Sequence, residues 1–321
     1  MGRTRSTRRP RRIHVKVGGI CTTEKCNLSC TMCHFHGPEA PRRGRPRTLA
    51  PDLVAKFIGD IPEKQDLWFA STGEFFMDPH ALEHLRLASQ LGHRPRVLTN
   101  GQLLTRELID NMLEAGVRFV RFSVDAIDPE RYGQIRRGGQ FEKVLEACAY
   151  LRAKKREYPG LTVGISNTLF EDSVSRQDEF IRFWRGKADR VAFNAQYYDI
   201  FKFKHLFFTP PARVPCELQL YLLPSGAMVP CCALEVYEHC EDLDWLPNIA
   251  SASLREAFEL FKRMYADSSS PLRQICAKCE WWVVSVPPRD GRTPFWRDVV
   301  LPLSLRDRII VRLRRRWAGK R

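Results

Sequence analysis

Two hydrophobic rhythms alternate along the first two hundred residues of this chain. Short runs rich in β-branched and aromatic residues fall at 13–20, 67–70, 96–98, 119–124, 162–166 and 191–194. Between them, apolar residues recur at helical spacing over 51–58, 79–91, 105–115, 141–154 and 175–184. Regular strand–helix alternation predicts parallel strands joined by crossover helices, an α/β architecture. Six such units predict an incomplete (β/α)6 TIM-like barrel, whose reactive groups gather at the C-terminal ends of the strands. Thr105, three residues before Leu108, and the pair Asp172-Ser173 read as helix N-caps.

The rhythm changes at Thr209-Pro210-Pro211. From 209 to 288 the chain offers short strands, turns and most of the remaining cysteines, with Gly226 placed to turn a β-hairpin. The predicted organisation is therefore a disordered basic tail at 1–12, a partial barrel at 13–208, a small cysteine-rich hairpin and helix domain at 209–288, and a basic amphipathic extension at 289–321. Residues 36–48, rich in Pro, Gly and Arg, read as a loop, and no internal repeat is evident.

Net charge changes this picture only once it is located. The chain carries +15 overall, but residues 1–12 hold six arginines and no acid, and residues 304–321 hold eight basic residues against the single acid Asp307. The ends supply most of the excess and the body is nearly neutral, which excludes a basic nucleic-acid groove through the barrel. Leu305, Ile309, Leu313 and Trp317 form one apolar stripe among the C-terminal arginines. Two readings of this segment stay open, a helix docked on the barrel or a peripheral contact with an anionic membrane. No run approaches the roughly 18 apolar residues of a membrane span, and the arginine-rich start has no apolar segment behind it. With 11 cysteines and no secretory signal, metal-bound thiols in a reducing cytoplasm are expected.

The chemistry concentrates in cysteines. Cys26, Cys30 and Cys33 stand in a C-x3-C-x2-C run directly after the first strand. Three thiolates on one short loop suit three irons of a cubane, leaving the fourth iron open to chelate a small molecule. A structural zinc would want a fourth ligand, which His34 or His36 could supply. Ser71-Thr72-Gly73-Glu74 follows the second strand, Thr99-Asn100-Gly101 ends the third, Ser123-Val124-Asp125 ends the fourth, and Arg136-Arg137-Gly138-Gly139 leads into a helix. Ordered in this way, the motifs resemble the radical S-adenosylmethionine (SAM) superfamily.

The resemblance implies a [4Fe–4S] cluster on Cys26, Cys30 and Cys33, with SAM held by Ser71, Thr72, Gly73, Glu74, Thr99, Asn100, Ser123, Asp125, Arg136 and Ser166. Phe75 departs from the proline common after the glycine-glutamate pair. The implied chemistry is reductive cleavage of SAM to a 5′-deoxyadenosyl radical, which removes a hydrogen atom from a substrate, with a flavodoxin- or ferredoxin-type protein as electron donor. Cys216, Cys231, Cys276 and Cys279 resemble the ligand set of an auxiliary cluster domain of the SPASM/Twitch type, implying a second [4Fe–4S] cluster. Structural zinc on these thiolates is the alternative, and Cys232 competes with Cys231 as ligand. Beside such a site, Cys232 is a candidate hydrogen-atom donor to a substrate radical. The expected substrate is a small, sugar- or cyclitol-like molecule that is oxidised or epimerised, because little chain precedes the first strand to recognise a peptide. A ribosomal-peptide maturase and a non-catalytic zinc- and polyanion-binding protein are the competing readings.

Overall fold

A computed structural model describes residues 14–40, 44–70, 72–168, 176–194, 217–235, 240, 243–277 and 299–302. Six parallel strands form its centre: β1 (Val17–Ile20), β2 (Asp66–Phe69), β3 (Arg94–Thr99), β4 (Phe119–Ser123), β5 (Thr162–Thr168) and β6 (Arg190–Asn194), side by side in that order. Helices α1 (Pro51–Gly59), α2 (Ala81–Gln90), α3 (Arg106–Glu114), α4 (Pro129–Ile135), α5 (Phe141–Ala153) and α6 (Gln177–Trp184) connect them. The expected partial barrel is therefore present.

Alternation along the strands decides what each side chain meets. Leu67, Phe69, Val97, Val120, Phe122, Val163 and Ile165 are essentially inaccessible and join the helices in one apolar core. Cys148, on α5, belongs to it as a small buried hydrophobe. The helix starts are chemically explicit. Pro51 opens α1, Thr105 accepts a hydrogen bond from the Leu108 amide, and Asp128 accepts one from the Arg131 amide ahead of Pro129. Helix α4 has no counterpart among the predicted elements. At seven residues with two buried side chains, Tyr132 and Ile135, it carries too short an apolar stripe to declare a period. The first strand begins at Val17 rather than 13. The Asp172-Ser173 cap lies outside the described residues.

Beyond the barrel strands, β7 (Leu220–Leu222) and β8 (Met228–Val229) form the expected hairpin, with Gly226 at φ +82° in its turn. The hairpin is not a separate sheet. Strand β7 pairs in parallel with β1, so the central sheet continues into the second half of the chain. Helices α7 (Cys232–Glu235), α8 (Leu254–Ala266) and α9 (Pro271–Cys276) follow, and Ser253 with Glu256 closes a capping box on α8. At the opposite edge, β9 (Val299–Pro302), within the expected C-terminal extension, pairs antiparallel with β6.

Candidate active site

The cysteine run leaves the C-terminal end of β1 and is held from three sides. Glu74 donates its backbone N–H to the Lys25 carbonyl at 2.7 Å, just before Cys26. The approach is so close that a Cβ on Gly73 would lie 2.1 Å from the Lys25 oxygen, so glycine is required there. Within the run, Asn27 Oδ1 accepts a hydrogen bond from Asn100 Nδ2 at 2.8 Å. Ser29 and Cys30 pair antiparallel with Arg137 and Arg136. On the far side, the Gly37 amide bonds the Cys33 carbonyl, and a side chain at Gly37 would strike it.

Glu74 is buried just past the C-terminal end of β2. Its Oε1 accepts from the Thr99 hydroxyl at 2.6 Å and its Oε2 from the Asn100 amide at 2.7 Å. Thr99 and the Asn100 amide are neutral donors, with the Arg136 charge acting from further off. Burial raises its carboxyl above the ordinary value, opposed by those two donors. The Gly101 amide, at φ +79°, returns to the Thr99 hydroxyl and tightens the turn.

Asp125 and Arg136 form a second buried pair, at 2.6 Å between Oδ2 and Nη2. The Thr168 amide donates to the other Asp125 oxygen at 2.6 Å. Burial raises the Asp125 carboxyl, with Arg136 and Thr168 opposing. For Arg136, burial works against the charge, but Asp125 together with Cys30 and Tyr132 outweighs it and keeps the guanidinium ionised. The remaining arm, Nη1, reaches Cys30 Sγ at 3.8 Å.

Thr72, Gly73, Glu74, Thr99, Asn100, Ser123 and Arg136 line one cleft of about 250 Å³ together with Cys26, Cys30 and Cys33. This convergence follows largely from the topology, since Thr72, Gly73, Glu74, Thr99, Asn100 and Ser123 stand at or just past strand C-termini, while Arg136 arrives from the end of α4. Asp125 instead borders a small adjoining cavity of about 40 Å³. Ser166 is buried in β5, where its carbonyl receives the Val124 amide, and its neighbour Thr168 reaches the cleft. Ser71 lies outside the described residues. Three contributors carried no sequence signal of their own. Asn27 and Thr168 hold their positions through partners distant in sequence. His36, expected only as a zinc ligand, makes a 3.1 Å hydrogen bond between Nε2 and the Thr72 carbonyl.

The donor set fits an iron–sulfur cluster. Burial raises the free Cys26 thiol to about 12 and that of Cys30 to about 11, with Arg136 opposing at Cys30. Among the described residues, no three Cys, His, Asp or Glu side chains converge as closely as a single ion needs. Three thiols that line one cleft can serve three corners of a cubane.

Of the second cysteine set, Cys231 follows β8, Cys232 opens α7 and Cys276 ends α9. None of the three lines the cleft. Cys216 and Cys279 lie outside the described residues, as do the tails at 1–12 and 304–321. Among the described residues, no helix is long and apolar enough to cross a membrane.

An open parallel barrel with three cysteines and a buried glutamate at its strand ends defines a class of cofactor-dependent enzyme. The radical SAM superfamily profile matches residues 20–197, and the chain belongs to that superfamily. It is 26% identical over 171 residues to the tungsten-containing aldehyde ferredoxin oxidoreductase cofactor-modifying protein of Pyrococcus furiosus, covering 50% of this chain and 46% of the relative. It is 32% identical over 161 residues to GTP 3′,8-cyclase of Chlorobaculum tepidum, covering 50% and 46%. The chain thus spans less than half the length of these curated relatives. Among solved structures, anSMEcpe with bound AdoMet superposes with a TM-score of 0.58 at 16% identity, covering 84% of this chain and 86% of that one. Streptococcus suis SuiB bound to the precursor peptide SuiA gives a TM-score of 0.58 at 11% identity, covering 84% and 70%. These similarities concern the fold.

Proposed function

We propose that the chain is a SAM-cleaving radical enzyme acting on a small, sugar- or cyclitol-like molecule, which it oxidises or epimerises. One observation carries the SAM-cleaving part: the three cysteines and the Thr72–Glu74 turn line the same cleft. Cys26, Cys30 and Cys33 would hold the [4Fe–4S] cluster. Bound there, the cluster would supply an electron for reductive cleavage of SAM, the source of hydrogen-atom abstraction from a substrate.

This chain's own residues supply position and charge. The Thr72–Glu74 turn presents a carboxylate edge suited to an ammonium group, because Glu74 is anchored by Thr99 and Asn100 and cannot swing away. Ser123 offers a hydroxyl to a carboxylate or ribose at the same level of the sheet. Asp125 fixes Arg136 against the cysteine loop, keeping one guanidinium edge at Cys30.

Cys216, Cys231, Cys276 and Cys279 would hold an auxiliary cluster, with Cys232 beside them as hydrogen-atom donor, and a flavodoxin- or ferredoxin-type protein would supply electrons. Supporting this are the hairpin that carries Cys231 and its union with the barrel through β1. The cytoplasm is the compartment that suits such oxygen-sensitive cofactors.

The test is iron and sulfide content with EPR of anaerobically reconstituted protein, beside a Cys26/Cys30/Cys33→Ala variant. Two clusters predict about eight irons in the parent and about four in the variant. Formation of 5′-deoxyadenosine from SAM should occur in the parent alone. Zinc in place of iron, or no cluster signal that responds to SAM, would overturn the reading.

A further inference from the structure

The sulfurs of the cysteine run meet N–H donors of unlike charge. Cys26 takes the Leu28 amide, and Cys33 takes the His36 amide at 3.3 Å. Cys30 instead meets Nη1 of Arg136 at 3.8 Å, a full positive charge in place of a neutral amide. Register pairs Cys30 with Arg136 across a short antiparallel ribbon, which fixes the backbone under both side chains. The Arg136 residue is only 7% exposed, and Asp125 grips its Nη2 at 2.6 Å. Asp125 is itself held by the Thr168 amide. Both terminal nitrogens of the guanidinium are therefore engaged within the protein. Arg137, one residue on, carries the same charge but lies exposed.

We infer that Arg136 is a redox-tuning residue, whose buried guanidinium on Cys30 raises the reduction potential of the cluster the three cysteines would hold. Reduction adds one negative charge to such a cluster, and hydrogen bonds to its sulfurs help to carry that charge. A cation at one ligand favours the reduced form, most strongly where burial keeps water from screening it. Asp125 opposes this effect at Cys30 but acts more weakly there than Arg136 does. The buried pair thus presents its positive end to the cysteine loop. A less negative potential lets a weaker reductant load the electron that SAM cleavage consumes. The inference rests on the SAM-cleaving reading of the cleft and gives Arg136 a role that does not need SAM to be bound.

An EPR-monitored redox titration of the reconstituted full chain without SAM tests it, following the signal that Cys26/Cys30/Cys33→Ala abolishes. At a fixed potential, Arg136→Gln should lower the ratio of reduced to oxidised cluster about tenfold, a shift of about 59 mV for one electron. Asp125→Asn should raise that ratio about threefold, because it removes the opposing carboxylate. Asp125→Asn/Arg136→Gln leaves neither buried charge without its partner, so it serves where Arg136→Gln alone folds poorly. The double variant should still lower the ratio, by less than tenfold. Arg137→Gln, the same charge lost from an exposed side chain, should change it less than about twofold. An unchanged ratio in both Arg136 variants, a shift of equal size in Arg137→Gln, or a fall in Asp125→Asn would overturn the inference. So would weakened SAM binding at an unchanged potential, which would make the guanidinium a SAM contact alone. Iron content of the wild type separates the two failures. A cluster whose potential ignores Arg136 defeats the tuning alone, and no cluster defeats the function proposed for the cleft.

Discussion

Neighbouring residues on one strand of this protein live in different worlds. Under the helices, Val120 and Phe122 are sealed in an apolar core. On the other face of the same strand, Arg121 lies against aromatic rings and Ser123 opens on the cysteine cleft. The contrast teaches that one backbone serves two purposes by parity: alternate residues hold the sheet rigid while those between them carry polar groups at fixed spacing.

The largest expected effects fall on the helix side. Phe122→Ala should cost about 3–5 kcal/mol in urea unfolding, by lost burial plus the cavity left behind. Ser123→Ala, one residue on, should cost no more than about 0.5 kcal/mol. Similar costs for the two would erase the distinction between faces. Next comes the buried ion pair. Asp125→Asn leaves the Arg136 charge enclosed without its partner and should cost about 3 kcal/mol. Adding Arg136→Met should restore a large part of that loss, since the penalty is an uncompensated charge; a double variant worse than the single would refute this account.

A smaller effect has a defined pH sign. Burial raises the Glu74 carboxyl, so the folded chain binds that proton more tightly than the unfolded chain does. Stability should therefore fall as pH climbs above the ordinary carboxylate value, and stay lower once Glu74 ionises. In the metal-free chain, Glu74→Gln should remove this decline. The melting temperature of the variant should gain on the parent between pH 5 and pH 8; a constant difference would contradict it. The smallest effect belongs to the exposed rim of the other face. Arg94→Gln breaks a solvent-exposed pair with Asp66 and should shift stability by less than about 1 kcal/mol.

These pairs also mark what could be read from the chain alone. Strands, most helices and the cysteine loop were legible because alternation, the Thr105 cap and local ligand spacing are written over a few consecutive residues. Glu74, Thr99 and Asn100 were legible as strand ends, but their hydrogen bonds to one another were not. Arg136 shows the limit best. Its sequence neighbours announce a turn and a helix, whereas Asp125 and Cys30 reach it through folding of separate loops. Only register brings Arg121 and Arg190 to either side of Gly164. Helix α4 escaped because seven residues cannot establish a helical period.

The pairing of β7 with β1 bears on how the chain must be handled as it is made. Cutting at the apparent boundary near residue 208 would strip β1 of β7, one of its two parallel neighbours, and leave a row of backbone donors and acceptors open along that edge. Such a fragment, although it contains every residue that lines the cysteine cleft, should recruit strands from other molecules and aggregate. A ribosome that has released only the first two hundred residues faces the same exposed edge. The hairpin at 220–229 thus acts as a late-arriving edge guard, closing the sheet only after most of the active-site side chains have been synthesised.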